Sequence, residues 1–189
     1  MSIAEQKQEL RQQLLSRREA FSEKDYQYKS QKIINKLKIQ PEFREAEIIH
    51  CYVSLNKRNE VNTLPLIKHL LTAKKRVVVP VTNFDDGTLS HTFLNEFSAL
   101  QENKWGVLEP AKGKTAEPDE MDLVIVPMAG GDYKKNRIGY GKGFYDRFLN
   151  KVSCSTIGLL FDDCLVSEIP VEEFDVPLSK IITEEHVIE

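Results

Sequence analysis

Residues 123–127 read LVIVP, five apolar residues in a row, and this run decides the fold. A strand with one wet face alternates apolar and polar side chains. A continuous apolar run of this length suits a strand covered on both faces, as in a parallel sheet. Similar runs lie on either side of it: IIHCYV at 48–53, RVVVPV at 76–81 and TIGLLF at 156–161, with a last run, KIIT, ending at Thr183. Helical patterns at 66–74 and 144–152 fall between these runs. The β–α–β rhythm predicts an α/β fold, a single-domain three-layer open sheet, mostly parallel, with helices on both faces. Asp85-Asp86-Gly87 predicts a turn, and residues 88–94 an added antiparallel strand that completes a hairpin. No linker divides the chain, so residues 1–189 are expected to form one domain.

Upstream of the first strand the pattern is helical. Ser2 and Glu5 fit a capping box, followed by an apolar stripe of Ile3, Leu10, Leu14 and Phe21. Lys7 falls in the middle of that stripe and Arg11 on its edge. A lysine so placed either snorkels to solvent or reaches an anion over the sheet edge, and the sequence leaves both open. Ser22 opens a second helix with Tyr26, Ile33 and Leu37 on one face, and Pro41 is expected to end that region. Residues 111–120 predict a polar loop without an element of its own.

Composition narrows the function. Net charge is −3, with 41% apolar and 29% charged residues, so no global field favours DNA or an anionic membrane. No apolar run approaches the roughly 20 residues of a membrane helix. The stretch MSIAEQKQELRQQLL lacks a signal-peptide core, and the three cysteines, Cys51, Cys154 and Cys164, show no zinc or disulfide spacing. A cytoplasmic protein with reduced thiols is expected.

The chemistry concentrates after LVIVP. Residues 128–143, MAGGDYKKNRIGYGKG, predict a long loop at the carboxyl end of a strand, where open α/β sheets bind ligands. From Asp132 to Arg147 there are five basic and two acidic residues in an acidic protein. Gly139, Gly141 and Gly143 free the backbone for positive φ and close approach to a ligand. Their N–H groups and the start of the next helix suit an anion, with Lys142 and Arg137 adding charge-assisted contacts. The pattern is neither G-x-x-x-x-G-K-[ST] nor G-x-G-x-x-G. It reads as a phosphate cradle or as a mobile turn with solvated lysines. Asp146, in the first turn of that helix, either complements the helix dipole or serves as a hard-oxygen ligand for Mg²⁺.

The stretch Arg137-Ile-Gly-Tyr-Gly-Lys-Gly-Phe-Tyr-Asp-Arg147 resembles the core of the 5-formyltetrahydrofolate cyclo-ligase family, R-x-G-x-G-x-G-x-Y-D-R. Lys7-x-x-x-Arg11, Glu60-Val-Asn-Thr63, Trp105-Gly-Val-Leu-Glu-Pro110, residues 122–127 and residues 174–183 are also similar to that family, in order along the chain. The resemblance implies an ATP- and Mg²⁺-dependent enzyme that converts 5-formyltetrahydrofolate to 5,10-methenyltetrahydrofolate, ADP and phosphate. It further implies that Lys7, Arg11 and the loop residues Arg137, Ile138, Gly139, Tyr140, Gly141, Lys142, Gly143, Phe144 and Tyr145 contact ATP. Leu55 and Glu60 would hold the folate, joined by Tyr140, Gly141, Lys142, Gly143 and Phe144. Arg137 and Tyr145 would be catalytic, with Tyr145 orienting the formyl oxygen, and Asp146 and Asp175 would hold Mg²⁺. A monomer acting on these two substrates, without nucleic-acid or membrane partners, is expected.

Three positions depart from the family pattern. Gly130-Gly131 stands where Ala-Phe is common and is expected to loosen the loop; Phe174 replaces a histidine before Asp175; Cys164 replaces a glutamine. Trp105 reads as core packing more readily than as a stacking platform, and Glu60 is either a pterin ligand or a solvated loop acid. Two rivals remain at this stage. One is a sugar-phosphate or CoA enzyme on the same kind of sheet. The other is a single-strand nucleic-acid binder using the interleaved basic and aromatic residues of 134–147.

Overall fold

The computed structural model describes residues 1–189, apart from the side chain of Asn56. The chain opens with α1 (Ile3–Glu19) and α2 (Glu23–Lys38). Ser2 and Glu5 form the capping box and Ser22 caps α2, as the sequence predicts. Pro41 ends nothing by itself: it occupies the first turn of a short helix, α3 (Pro41–Glu45), where its missing N–H is no loss. There follow β1 (Ile48–Cys51), α4 (Leu64–Thr72), β2 (Arg76–Asn83) and β3 (Thr88–Leu94). A small hairpin, β4 (Leu100–Glu102) and β5 (Leu108–Pro110), precedes β6 (Leu123–Pro127). The remainder is β7 (Gly130–Asp132), β8 (Arg137–Ile138), α5 (Phe144–Leu149), β9 (Ser155–Leu159), β10 (Leu165–Val166), β11 (Lys180–Ile182) and β12 (Val187–Ile188).

Seven strands form the main sheet in the order β12-β11-β9-β6-β1-β2-β3. The five inner strands are parallel, while β3 and β12 run antiparallel at the edges. Counted along the chain, the parallel strands lie in the order 2-1-3-4-5, which reverses between β1 and β6. Ligands of such sheets sit beyond the carboxyl ends of the strands at that reversal.

LVIVP is β6, and all five of its residues are buried. Leu123 and Ile125 join a core built with α2, α3 and α4; Val124 and Val126 join a second core with Leu14 of α1 and Phe148 and Leu149 of α5. Side chains alternate across a strand, so a continuous apolar run feeds both layers.

The predicted 128–143 loop contains regular structure. Strands β10, β7 and β8 make a three-stranded sheet of their own. Its tight turn is organised by Asp132, fully buried, whose carboxylate accepts from the backbone N–H groups of Lys134 (2.9 Å), Asn136 (2.9 Å) and Ile169 (3.0 Å). Gly130 and Gly131 lie inside this sheet and do not loosen it. A Cβ on Gly130 would stand 2.2 Å from Leu14 Cδ1, so the glycine lets α1 press onto the ladder. In the predicted 111–120 loop, Pro118–Glu120 forms a 3-10 turn and Thr115 bridges Thr92.

Candidate active site

At the carboxyl ends of β1 and β6 a cavity of about 1080 Å³ opens. Typical small-ligand pockets span about 300–1,000 Å³, so this one has room for two substrates. Every residue that the resemblance assigns to a site lines it: Lys7, Arg11, Leu55, Glu60, the loop from Arg137 to Tyr145, Asp146 and Asp175. They arrive from α1, the segment after β1, the β8–α5 connection and the segment before β11.

The glycine loop is tighter than three free glycines suggest. Gly141 (φ +84) and Gly143 (φ +67) occupy the left-handed region, but Gly139 does not. At Gly139 the constraint is different: a Cβ there would meet Arg137 Nη1 at 2.8 Å and displace the guanidinium. Gly143 starts α5 as its N-cap residue, without a side-chain cap. The Arg11 Nε donates to the Gly139 carbonyl at 2.7 Å, fixing α1 against the loop. Arg147 reaches in the opposite direction and donates to the carbonyls of Lys142 (2.8 Å) and Gly87, joining the loop to the β2–β3 turn.

Arg137 is buried, and its Nη2 donates to Asp146 Oδ1 at 2.6 Å. Asp146 therefore carries more than a dipole role: it holds the guanidinium in place. The Arg137 Nε and the Tyr145 hydroxyl are both buried without a partner, and the guanidinium lies 5.9 Å from the Tyr145 ring centroid. Burial, followed by the neighbouring Cys51 and Glu60, holds the Tyr145 phenol well above its ordinary pKa, so the hydroxyl stays protonated as a donor. Buried polar groups are nearly always satisfied, so two orphans on residues that line one cavity mark a place where a ligand or a small shift can satisfy them.

Glu60 is no solvated loop acid. It is buried, accepts from the Leu55 N–H at 2.6 Å and shares a hydrogen bond with the Tyr140 hydroxyl. Burial raises its pKa, while Tyr140, the Leu55 amide, Arg18 and Arg58 pull the other way. Arg18, buried on α1, donates to Tyr140 Oη and to the Met128 carbonyl, both at 3.0 Å. Sequence reasoning missed Arg18. The signal was present: Lys7, Arg11, Leu14 and Arg18 follow a 4-3-4 spacing on one face of α1, and three of the four are cations. That face serves the site more than the core, and Ile3 is exposed.

Lys7 neither snorkels nor lies free. Its ammonium is buried between Glu172 (2.9 Å) and Asp175, with the exposed Phe174 ring 5.5 Å away. The loss of a histidine at 174 thus leaves Asp175 with a cation as neighbour. Cys164 is buried and donates to the Leu14 carbonyl, its pKa pushed up to about 11 by burial. Trp105 is not a core residue: it is 58% exposed at the cavity mouth, its ring tilted against Phe84 with centroids 5.1 Å apart. Phe84 in turn contacts Phe144 at 5.9 Å. The basic and aromatic residues of 134–147 do not form a surface stripe for a nucleic-acid strand, because Arg137 is 7% exposed and Tyr140 is tied inward. No helix of the described residues is long and apolar enough to cross a membrane.

Comparisons with known proteins show the family. The model of the 5-formyltetrahydrofolate cyclo-ligase family matches residues 3–184. The 5-formyltetrahydrofolate cyclo-ligase of Escherichia coli K12 is 31% identical over 179 residues, 92% of this chain and 97% of that protein. The mouse protein of the same name is 25% identical over 198 residues, 98% of this chain and 97% of its own. Among solved structures, the Aquifex aeolicus 5,10-methenyltetrahydrofolate synthetase superposes with a TM-score of 0.85 at 29% identity, covering 96% of this chain and 91% of its own. The Mycoplasma pneumoniae 5,10-methenyltetrahydrofolate synthetase gives 0.74 at 25% identity, covering 94% of this chain and 98% of its own. With the motif residues gathered around one cavity at the sheet's reversal point, this chain belongs, as an enzyme, to the 5-formyltetrahydrofolate cyclo-ligase family.

Proposed function

We propose that the enzyme converts 5-formyltetrahydrofolate to 5,10-methenyltetrahydrofolate at the expense of ATP, releasing ADP and phosphate. The observation that carries this reading is the pair of unpartnered buried donors, Arg137 Nε and Tyr145 Oη, on two residues that line one cavity large enough for both substrates.

The chemistry explains why two substrates must meet. The formyl oxygen on N5 is a poor leaving group. Transfer of the γ-phosphoryl group to that oxygen gives ADP and an N5 carbon activated by a phosphate leaving group. N10 then attacks this carbon, the C–O bond breaks, phosphate departs and N10 loses its proton, leaving the methenyl bridge. Phosphoryl transfer needs mainly positioning and neutralised charge. Arg137, fixed by Asp146, keeps its Nε for an anionic oxygen. Tyr145 offers an unspent hydroxyl to the formyl oxygen. Arg11 holds the glycine loop, whose backbone faces the phosphates. Glu60, oriented by the Leu55 amide and Tyr140, meets the donors of the pterin ring.

The donor set fits Mg²⁺. No group of three His, Cys, Asp or Glu among the described residues could hold a metal, whereas Asp146 and Asp175 offer hard carboxylate oxygens. Mg²⁺ commonly takes one or two carboxylates and completes its shell with phosphates and water. Bound with the nucleotide it supplies charge neutralisation at the phosphates. The test is direct: purified protein, 5-formyltetrahydrofolate, ATP and Mg²⁺ are mixed and the near-ultraviolet band of the methenyl product is followed. The band is expected to rise only with ATP; no ATP-dependent rise sinks the proposal.

A further inference from the structure

The two carboxylates and two of the cations that the proposed reaction needs are already engaged with each other. Arg137 holds Asp146 at 2.6 Å, and Lys7 sits between Glu172 at 2.9 Å and Asp175. Lys7 lies on α1, whereas Glu172 and Asp175 lie on the segment between β10 and β11. The pair therefore ties the first helix to a late segment of the chain at the cavity wall. The Glu172 N–H also donates to Asp175 Oδ2 at 2.7 Å, so one oxygen of Asp175 takes both the Lys7 ammonium and this amide. Glu172 has no part in the reading above, yet its carboxylate is one of the two that pair with Lys7 among the described residues.

We infer that Glu172 is a positioning residue: it tethers Lys7 while the ammonium exchanges the Asp175 carboxylate for nucleotide phosphate, and so couples nucleotide binding to the divalent ion. The inference rests on the functional reading above. Without the ion, one ammonium faces two carboxylates, a local sum of one negative charge, and incoming phosphate must compete with both. With Asp175 drawn to the ion, Lys7 is released toward phosphate. Glu172 alone then keeps it at the cavity wall, since nothing in its position calls for it to leave. The Arg137–Asp146 pair obeys the same exchange. An ion that draws off a carboxylate frees a cation for phosphate, and phosphate that takes a cation frees a carboxylate for the ion, so each ligand favours the other, and linkage makes the effect equal in both directions.

The test is titration calorimetry of ATP in the absence of folate, once with Mg²⁺ and once with a chelator. The ratio of the two dissociation constants measures the coupling. In Glu172→Gln, metal-free ATP is expected to bind tighter, because one competing charge is gone. ATP with Mg²⁺ is expected to gain nothing, because the tether of Lys7 is weakened. The ratio is expected to shrink by roughly 5-fold or more, the low end of ordinary allosteric couplings. Glu173→Gln, at the exposed neighbouring acid, is expected to leave the ratio unchanged. A ratio unaltered by Glu172→Gln, or altered equally by Glu173→Gln, overturns the inference and leaves the functional reading standing. A purely structural role for Glu172 would weaken both titrations alike and preserve the ratio. No ATP binding by the unsubstituted protein with Mg²⁺ overturns the functional reading itself, and the inference with it.

Discussion

Tyr145 carries a hydroxyl that is buried and bonded to nothing. Removing such a group takes away no folded-state hydrogen bond, so its purpose is sought in the reaction. Tyr145→Phe is expected to leave the melting temperature unchanged or slightly higher. It is expected to lower kcat by about 10²–10⁴-fold, the usual contribution of one positioned proton donor. An unchanged kcat in the absorbance assay would remove Tyr145 from the chemistry. Arg137→Ala differs, because it leaves Asp146 without its cation in a largely desolvated place. It is expected to weaken ATP use and also to cost about 1–3 kcal/mol of stability, read from denaturant midpoints. At this scale the sequence was legible where a residue type was out of place. Lys7 on an apolar stripe stood out as misplaced, but snorkelling and anion contact stayed equally open, because its partners lie 165 and 168 positions away. Trp105 misled, because an aromatic is usually core and nothing local revealed that it stands at a cavity mouth.

Among the elements, α5 has six residues and depends on what grips it. Gly143 begins it at φ +67, where a side chain is strained, and a Cβ would stand 2.9 Å from Arg147 Nη1. Gly143→Ala is expected to cost about 1–2 kcal/mol from the left-handed backbone. It is also expected to raise KM for ATP and lower kcat together, because Tyr145 and Asp146 ride on the displaced helix. A substituted enzyme with unaltered kinetics would show that the helix start tolerates the shift. The parallel strands were legible because β1, β2, β6 and β9 are continuous apolar runs whose pattern survives any local detail. The small sheet of β7, β8 and β10 was not. Its strands have two or three residues, one has two glycines among its three, and its order comes from Asp132 bonding backbone as distant as Ile169. The β4–β5 hairpin was missed for the same reason: three-residue strands carry no period.

For the molecule as a whole, the weak point toward acid is a buried histidine pair. His50 of β1 is fully buried with Nδ1 unpartnered, and its Nε2 lies 3.3 Å from His91 Nδ1 of β3. Phe148 of α5 packs on both rings, 4.9 Å from His50 and 4.0 Å from His91. Burial, then His91, holds His50 well below the ordinary value; burial, then Lys151, brings His91 down to about 4. Between about pH 6.5 and 4 the unfolded chain binds protons that the folded one refuses, so stability falls as pH drops through that window. The loss from His91 is up to about 3 kcal/mol. Melting temperature measured from pH 7 to 4 is expected to decline, and His91→Phe, which cannot titrate, to flatten the decline. A slope unaffected by His91→Phe would assign the acid sensitivity elsewhere.

The strand that opened the sequence has one more consequence. In β6 the amides of residues 123–126 lie between β1 and β9, under two cores. Their deuterium uptake is expected to wait for global unfolding and so to report total stability. The glycine loop, only 16 residues further along the chain, is expected to take up deuterium through local opening. A single labelling experiment therefore contains its own clock. Nucleotide that merely quiets the loop slows loop peptides alone, whereas nucleotide that stabilises the entire fold slows β6 as well.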